Sequence, residues 1–330
     1  MDILKTLQTI NACHGPSGDE GQVANAIAEL ARPYADEITR DVMGNLIVHK
    51  KGPGKRIMFA AHMDSIGFVI THIDDKGFLR VGRLGGLGVY SCLHIPVRFK
   101  NGVKGVVSSS AEDSKKMTLN DLYIDIGATS REEAEKSVQL GDTAVFDLPA
   151  FQMGNRISSP YLDNRISCVV LLLALEQLTE ARNDLYFVFT TQEELGMRGA
   201  KPAAFGIDPQ YGIAVDVTGT DDELDSKHGA SSVLGKGAAV KIMDSSVICH
   251  PQVIQTLEEL AKSNGIKTQR DILRYGGTDA GAMHVSRSGV YAGGVSVPCR
   301  YIHSPVETAD LQDVEECGRL IAAFAQTDLA

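Results

Sequence analysis

Apolar residues recur along this chain in two distinct rhythms. Residues 57–61, 185–190, 211–215 and 290–297 are short runs made largely of apolar or small side chains. Runs of that length suit strands buried on both faces, as in a mostly parallel sheet. Residues 19–31 instead carry apolar positions at helical spacing, with Pro33 just beyond. Similar helical patterns cover 164–178, 251–263 and 311–325. Strands alternating with helices predict an α/β domain of three layers, αβα.

The stretch 68–153 breaks that alternation. Its segments are short and are separated by turn sequences such as Asp75-Lys76-Gly77, Asn101-Gly102 and Gly141-Asp142. Only 131–139 reads as helix. Short strands between closely spaced turns predict a small β-barrel. The expected organisation is therefore a discontinuous domain, 1–67 with 154–330, carrying an inserted barrel at 68–153.

Composition changes this picture only by exclusion. With 330 residues, of which 43% are hydrophobic and 22% charged, the chain can build a core without metal or disulfide staples. A metal here is then catalytic rather than structural. The net charge of −10 argues against a nucleic-acid partner. The most apolar stretch, 168–175, is too short to span a bilayer, and no signal-peptide layout is visible. Six scattered cysteines without a CxxC pair read as free thiols, so a cytoplasmic location without a membrane partner is expected. Cys299 is expected to be a packing residue.

Five positions place metal-type ligands at the edge of a regular element: His62 with Asp64, Asp163, Glu193-Glu194, Asp216 and His303. In open α/β sheets, ligands gather at the carboxyl ends of strands. Each residue has an ordinary alternative. His62 could sit satisfied in the core, Asp163 could cap a helix, Glu193-Glu194 could be a solvated loop, Asp216 could cap a turn, and His303 could belong to a plain loop. As a set they do more. If Asp163 bridges, one ion takes His62, Asp163 and Asp216, and a second takes Asp163, Glu194 and His303. Each ion then has three protein ligands and an open position, as catalytic sites do. Three carboxylates and a bridging hydroxide balance two divalent charges. Asp64, two residues after His62, can orient its ring. Glu193 can serve as general base on a water bridging the ions, then protonate the leaving amine.

At these residues the sequence resembles the M42 family of metallo-aminopeptidases, which includes the tetrahedral (TET) and glutamyl-type enzymes. The motifs are His62-Met63-Asp64, Tyr161-Leu162-Asp163-Asn164-Arg165, Gln192-Glu193-Glu194-Leu195-Gly196, Val215-Asp216-Val217-Thr218, Tyr301-Ile302-His303-Ser304-Pro305 and the glycine-rich 276–281. The resemblance implies a zinc-peptidase fold and two ions per subunit, zinc or cobalt. It implies His62, Asp163, Glu194, Asp216 and His303 as ligands and Asp64 and Glu193 as catalytic acids. Gly277 and Thr278 would lie near the peptide substrate. The inserted barrel would mediate dimer contacts, and the dimers would form a tetrahedral dodecamer.

Other motifs are weaker. The glycine-rich 82–88 lacks the strand–loop–helix setting and Lys-Ser/Thr ending of a phosphate loop. Gly52-Pro53-Gly54-Lys55 reads as a turn, His250-Pro251 as a helix start, and Glu307 as a brace for the loop after His303. Arg198 could favour acidic substrates or be structural. Three rival functions remain. An endoglucanase needs paired carboxyls and no metal, and the chain has no Trp for a glucan groove. A metal-dependent deacylase or carboxypeptidase would accept a blocked amino terminus. A non-catalytic assembly protein would not need Glu193.

Overall fold

The strand Arg56–His62 shows how the sequence pattern becomes a layered fold. Side chains alternate across a strand. Ile57, Phe59 and Ala61 join the large core on one face, while Met58 and Ala60 join a smaller core on the other. The strand is therefore apolar throughout because both faces are covered. In the computed structural model, which describes residues 1–227 and 229–329, the helices Leu162–Gln177 and Leu311–Ala325 cover the first face. Ala200–Ile207 and Asp279–Met283 cover the second. The result is the expected three-layer αβα arrangement.

Among the described residues, the sheet has eleven strands. Its centre is parallel, in the order Asp184–Thr190, Arg56–His62, Tyr211–Gly219 and Tyr291–Arg300. The flanks are largely antiparallel, so the sheet is mixed rather than mostly parallel. The reason lies in burial. Long apolar runs mark only strands covered on both faces, and the edge strands Glu37–Arg40 and Phe151–Met153 are short and mostly exposed.

Six strands between Gly67 and Phe146 close into a barrel in the order Gly67–Ile73, Leu79–Leu84, Leu122–Asp125, Lys104–Ser109, Pro96–Phe99 and Thr143–Phe146. The barrel has its own core, built on Phe68, Leu79, Phe99, Ile124 and Phe146. Tyr161, at the start of the helix Leu162–Gln177, reaches into that core, stacks on Phe146 and accepts a hydrogen bond from the Phe146 amide. The helix expected at 131–139 is only Arg131–Ala134. Val138 turns into the barrel core and the Gln139 amide donates to Asp142, so the chain leaves the helical path.

Several ends also differ from expectation. The helix Ile3–Asn11 has no counterpart in the sequence reading. Tyr211–Gly219 and Tyr291–Arg300 run farther than expected, which puts Asp216 inside its strand. His250 caps the helix Pro251–Asn264 by accepting from the Gln252 amide, as its position beside Pro251 implied. Five of the six free cysteines, Cys299 included, are buried. Among the described residues, no helix is long and apolar enough to cross a membrane.

Candidate active site

The parallel strands aim their carboxyl ends at one place. His62 is the last residue of its strand, Glu193 and Glu194 follow the strand ending at Thr190, and Asp216 lies near the end of its own. Asp163 and Asn164 depart from helical geometry at the start of Leu162–Gln177, so Asp163 turns into the site instead of capping the helix. His303 comes from the turn between Tyr291–Arg300 and Glu307–Asp310.

All five expected ligands meet. His62 Nε2 lies 3.1 Å from Asp163 Oδ1 and 3.7 Å from Asp216 Oδ1. His303 Nε2 lies 3.3 Å from both Asp163 Oδ2 and Glu194 Oε2. The two triplets, His62–Asp163–Asp216 and Asp163–Glu194–His303, each hold their ligand atoms within 4.8 Å of one another and share Asp163. Each Asp163 oxygen serves a different triplet. Glu193 Oε2 sits 3.9 Å from His62 Nε2, at the same focus.

Asp64 does more than its spacing predicts. Its carboxylate approaches His62 Nδ1 at 3.4 Å. It also accepts from the Glu193 amide at 3.0 Å, the Glu194 amide at 3.3 Å and the Ser17 hydroxyl at 2.6 Å. One buried carboxylate thus holds both glutamates of the loop. Glu307 is the brace expected of it: its two oxygens accept from the Asp163 and His303 amides, each at 2.8 Å. Glu20 accepts from the Gln192 amide at 3.2 Å, a contact no sequence motif signals.

Charge and strain both point to a functional focus. Burial pushes the Glu193 and Asp216 carboxyls well above the usual range, and neighbouring acids add to it. Burial also opposes charge on Asp163, but hydrogen bonds from His303 and His62 hold its carboxyl well below the usual range. Burial opposes protonation of His303, yet bonds to Asp163 and Glu194 push its ring up to about 12. The site therefore gathers more negative charge than its side chains neutralise, and protons stand where cations would. Glu194 Oε1 is buried without a hydrogen-bond partner. Carboxylates and imidazoles in two three-ligand sets suit divalent ions. Of the nine non-glycine residues with positive φ among those described, Tyr161, Gln192, Met197, Tyr301 and His303 all flank this centre. Such strain gathers at functional sites.

A hollow of about 510 Å³ opens above the cluster, walled by Met197, Leu273, Tyr275 and Ile302. Gly277 lines it. Thr278 does not: it is buried, and its hydroxyl donates to Asp244 at 2.9 Å. Arg198 is exposed and bonds the Leu195 carbonyl at 3.1 Å, outside the hollow.

The family model described as M42 glutamyl aminopeptidase matches residues 44–320. The chain belongs to the M42 peptidase family. A putative aminopeptidase of Acetivibrio thermocellus is 48% identical to this M42 chain over 97% of both proteins. An aminopeptidase from the archaeon Desulfurococcus kamchatkensis has a solved structure with a TM-score of 0.95 and 40% identity, covering 98% of this chain and 94% of its own. The TET1 peptidase of Pyrococcus horikoshii, reported to assemble into a tetrahedron or a large octahedral shell, gives a TM-score of 0.89 at 34% identity over 98% and 99% of the two chains. This M42 protein is thus an aminopeptidase, a hydrolase of peptides, of a family that uses divalent metal.

Proposed function

We propose that this M42 aminopeptidase removes the first residue of short peptides using two divalent ions, zinc or cobalt. One ion is held by His62, Asp163 and Asp216, the other by Asp163, Glu194 and His303. The observation that carries this reading is the pair of ligand triplets sharing Asp163. When bound, two such ions acidify a water and polarise the scissile carbonyl.

The chain's own residues do the rest. Glu193 takes the proton of the attacking water and returns it to the departing amine. Asp64 positions Glu193 and Glu194 through their amides. The five carboxylates of Asp64, Asp163, Glu193, Glu194 and Asp216 alone outnumber the positive charges of two divalent ions, before Glu307 is counted. That surplus favours a protonated amino terminus over a blocked one. The walls at Met197, Leu273 and Ile302 are apolar, and no Lys or Arg is among the described residues lining the hollow. An apolar first residue fits best.

Glu193→Gln tests the assignment. It keeps the shape and both ions but removes the base, so turnover falls by about 10²- to 10⁴-fold. Near-normal turnover overturns the role. By analogy with the shell-forming relative, the protein is also proposed to form a closed homo-oligomer of dimers, a dodecamer, joined through the barrel. Light scattering tests this, and a monomer in solution contradicts it.

A further inference from the structure

The glycine-rich segment 82–88 is not a phosphate loop, yet it lies against the metal-type cluster. It leaves the barrel strand Leu79–Leu84, whose last residue pairs with Gly67, and Leu87 is buried in the barrel core. The turn between them is therefore pinned at both ends. The Gly86 carbonyl accepts a hydrogen bond from His303 Nδ1 at 3.0 Å. Donation from Nδ1 leaves Nε2 free to face Asp163 and Glu194. Gly86 also has no room for a side chain: a Cβ there would stand 2.6 Å from both Cε1 and Nδ1 of His303. At Gly85 a Cβ would stand 2.8 Å from Glu194 Oε2, and φ is +73°.

We propose that the Gly85–Gly86 turn of the barrel is a positioning element for one half of the metal centre, fixing the tautomer and place of His303 and the place of Glu194. This rests on the two-ion reading above. The three atoms nearest a Cβ at Gly86 all belong to His303, and those nearest one at Gly85 belong to Glu194 and Ile66, so neither glycine is crowded first by His62 or Asp216 of the other half. The barrel insertion thus completes one half-site and leaves the other to the main sheet.

The test compares wild type, Gly86→Ala and Gly88→Ala, each stripped with chelator and titrated with zinc, with bound metal counted by elemental analysis. Gly88→Ala is the local control, because its Cβ would meet only the rotatable Ser91 hydroxyl, at 3.1 Å. Gly86→Ala is expected to keep one ion at wild-type affinity and to bind the second about 10- to 100-fold more weakly, the usual cost of losing a ligand's orienting partner. Gly88→Ala should match wild type. Two ions at wild-type affinity in Gly86→Ala overturns the proposal. Wild type that never takes a second ion refutes the two-ion reading itself, a distinct result. If Gly86→Ala does not fold, NMR of wild type with labelled histidine and cadmium decides. Coupling from the metal to His303 Nε2, with a protected Nδ1 proton, supports the proposal, and coupling to Nδ1 overturns it.

Discussion

Glu307→Gln perturbs the site without touching a ligand side chain. In the native protein its two oxygens accept from the amides of Asp163 and His303, each at 2.8 Å. A glutamine offers one oxygen and one NH₂, so one backbone N–H loses its acceptor and faces another donor. A hydrogen bond to a charged group contributes about 1.5–3 kcal/mol. If all of that loss fell on ligand placement, metal binding would weaken by at most about a hundredfold, because 1.4 kcal/mol corresponds to roughly tenfold. If it fell on the fold, the metal-free protein would unfold at lower denaturant instead. Two assays divide the loss: zinc titration against a competing chelator, and urea unfolding of the stripped protein. Because Asp163 belongs to both triplets, both ions should loosen together, unlike the one-sided loss expected of Gly86→Ala. Unchanged affinity with an unchanged unfolding midpoint would refute the reasoning.

The remaining expectations concern the bridge, acid stability and a buried ion pair. Asp163→Asn should abolish or weaken both ions together, measured as bound metal per chain, and loss of one ion alone argues against a bridge. His14 is buried, its Nε2 lies 2.8 Å from the Thr143 hydroxyl, and burial lowers its pKa from 6.5 to about 4 against the opposing pull of Asp19, with Arg98, Arg165 and Lys100 also nearby. The neutral ring is favoured in the fold, so stability present above pH 6.5 should fall as pH drops toward 4, by on the order of 3 kcal/mol. His14→Gln should flatten that slope in urea titrations taken at each pH, and an unaltered slope contradicts the assignment. Lys241 and Asp271 form a buried pair at 2.5 Å, and Thr218 donates to the same carboxylate at 2.8 Å. Lys241→Met should cost about 3–5 kcal/mol of stability, with much recovered when Asp271→Leu is added, because a lone buried charge is what destabilises.

The parts of the fold that were legible in the sequence are those where one residue's surroundings are set by near neighbours. The run Ile57–Ala61 is apolar because both faces of its strand are covered, and His62 marks where the strand leaves the core. The five candidate ligands stood out because each breaks an apolar or helical pattern. What stayed hidden depends on contacts across the chain. Nothing near Asp64 announces that it binds the amides of Glu193 and Glu194, well over a hundred residues away. In the sequence, Gly85 and Gly86 belong only to a glycine-rich stretch that fails as a phosphate loop, because a role in leaving room for Glu194 and His303 has no local signature. Tyr161 opens a ligand motif, yet its ring belongs to the barrel core. Thr278 matches a motif near the substrate but turns away from the hollow toward Asp244.

The most direct measurement compares hydrolysis of one short peptide, leucine first, with a free and an acetylated amino end, by protein stripped with chelator and reloaded with zinc or cobalt. The account predicts that only the free peptide is cut, that cutting depends on reloading, and that lysine- or glutamate-first peptides are cut more slowly. Equal cleavage of the acetylated peptide, or cleavage by the stripped protein, would contradict it.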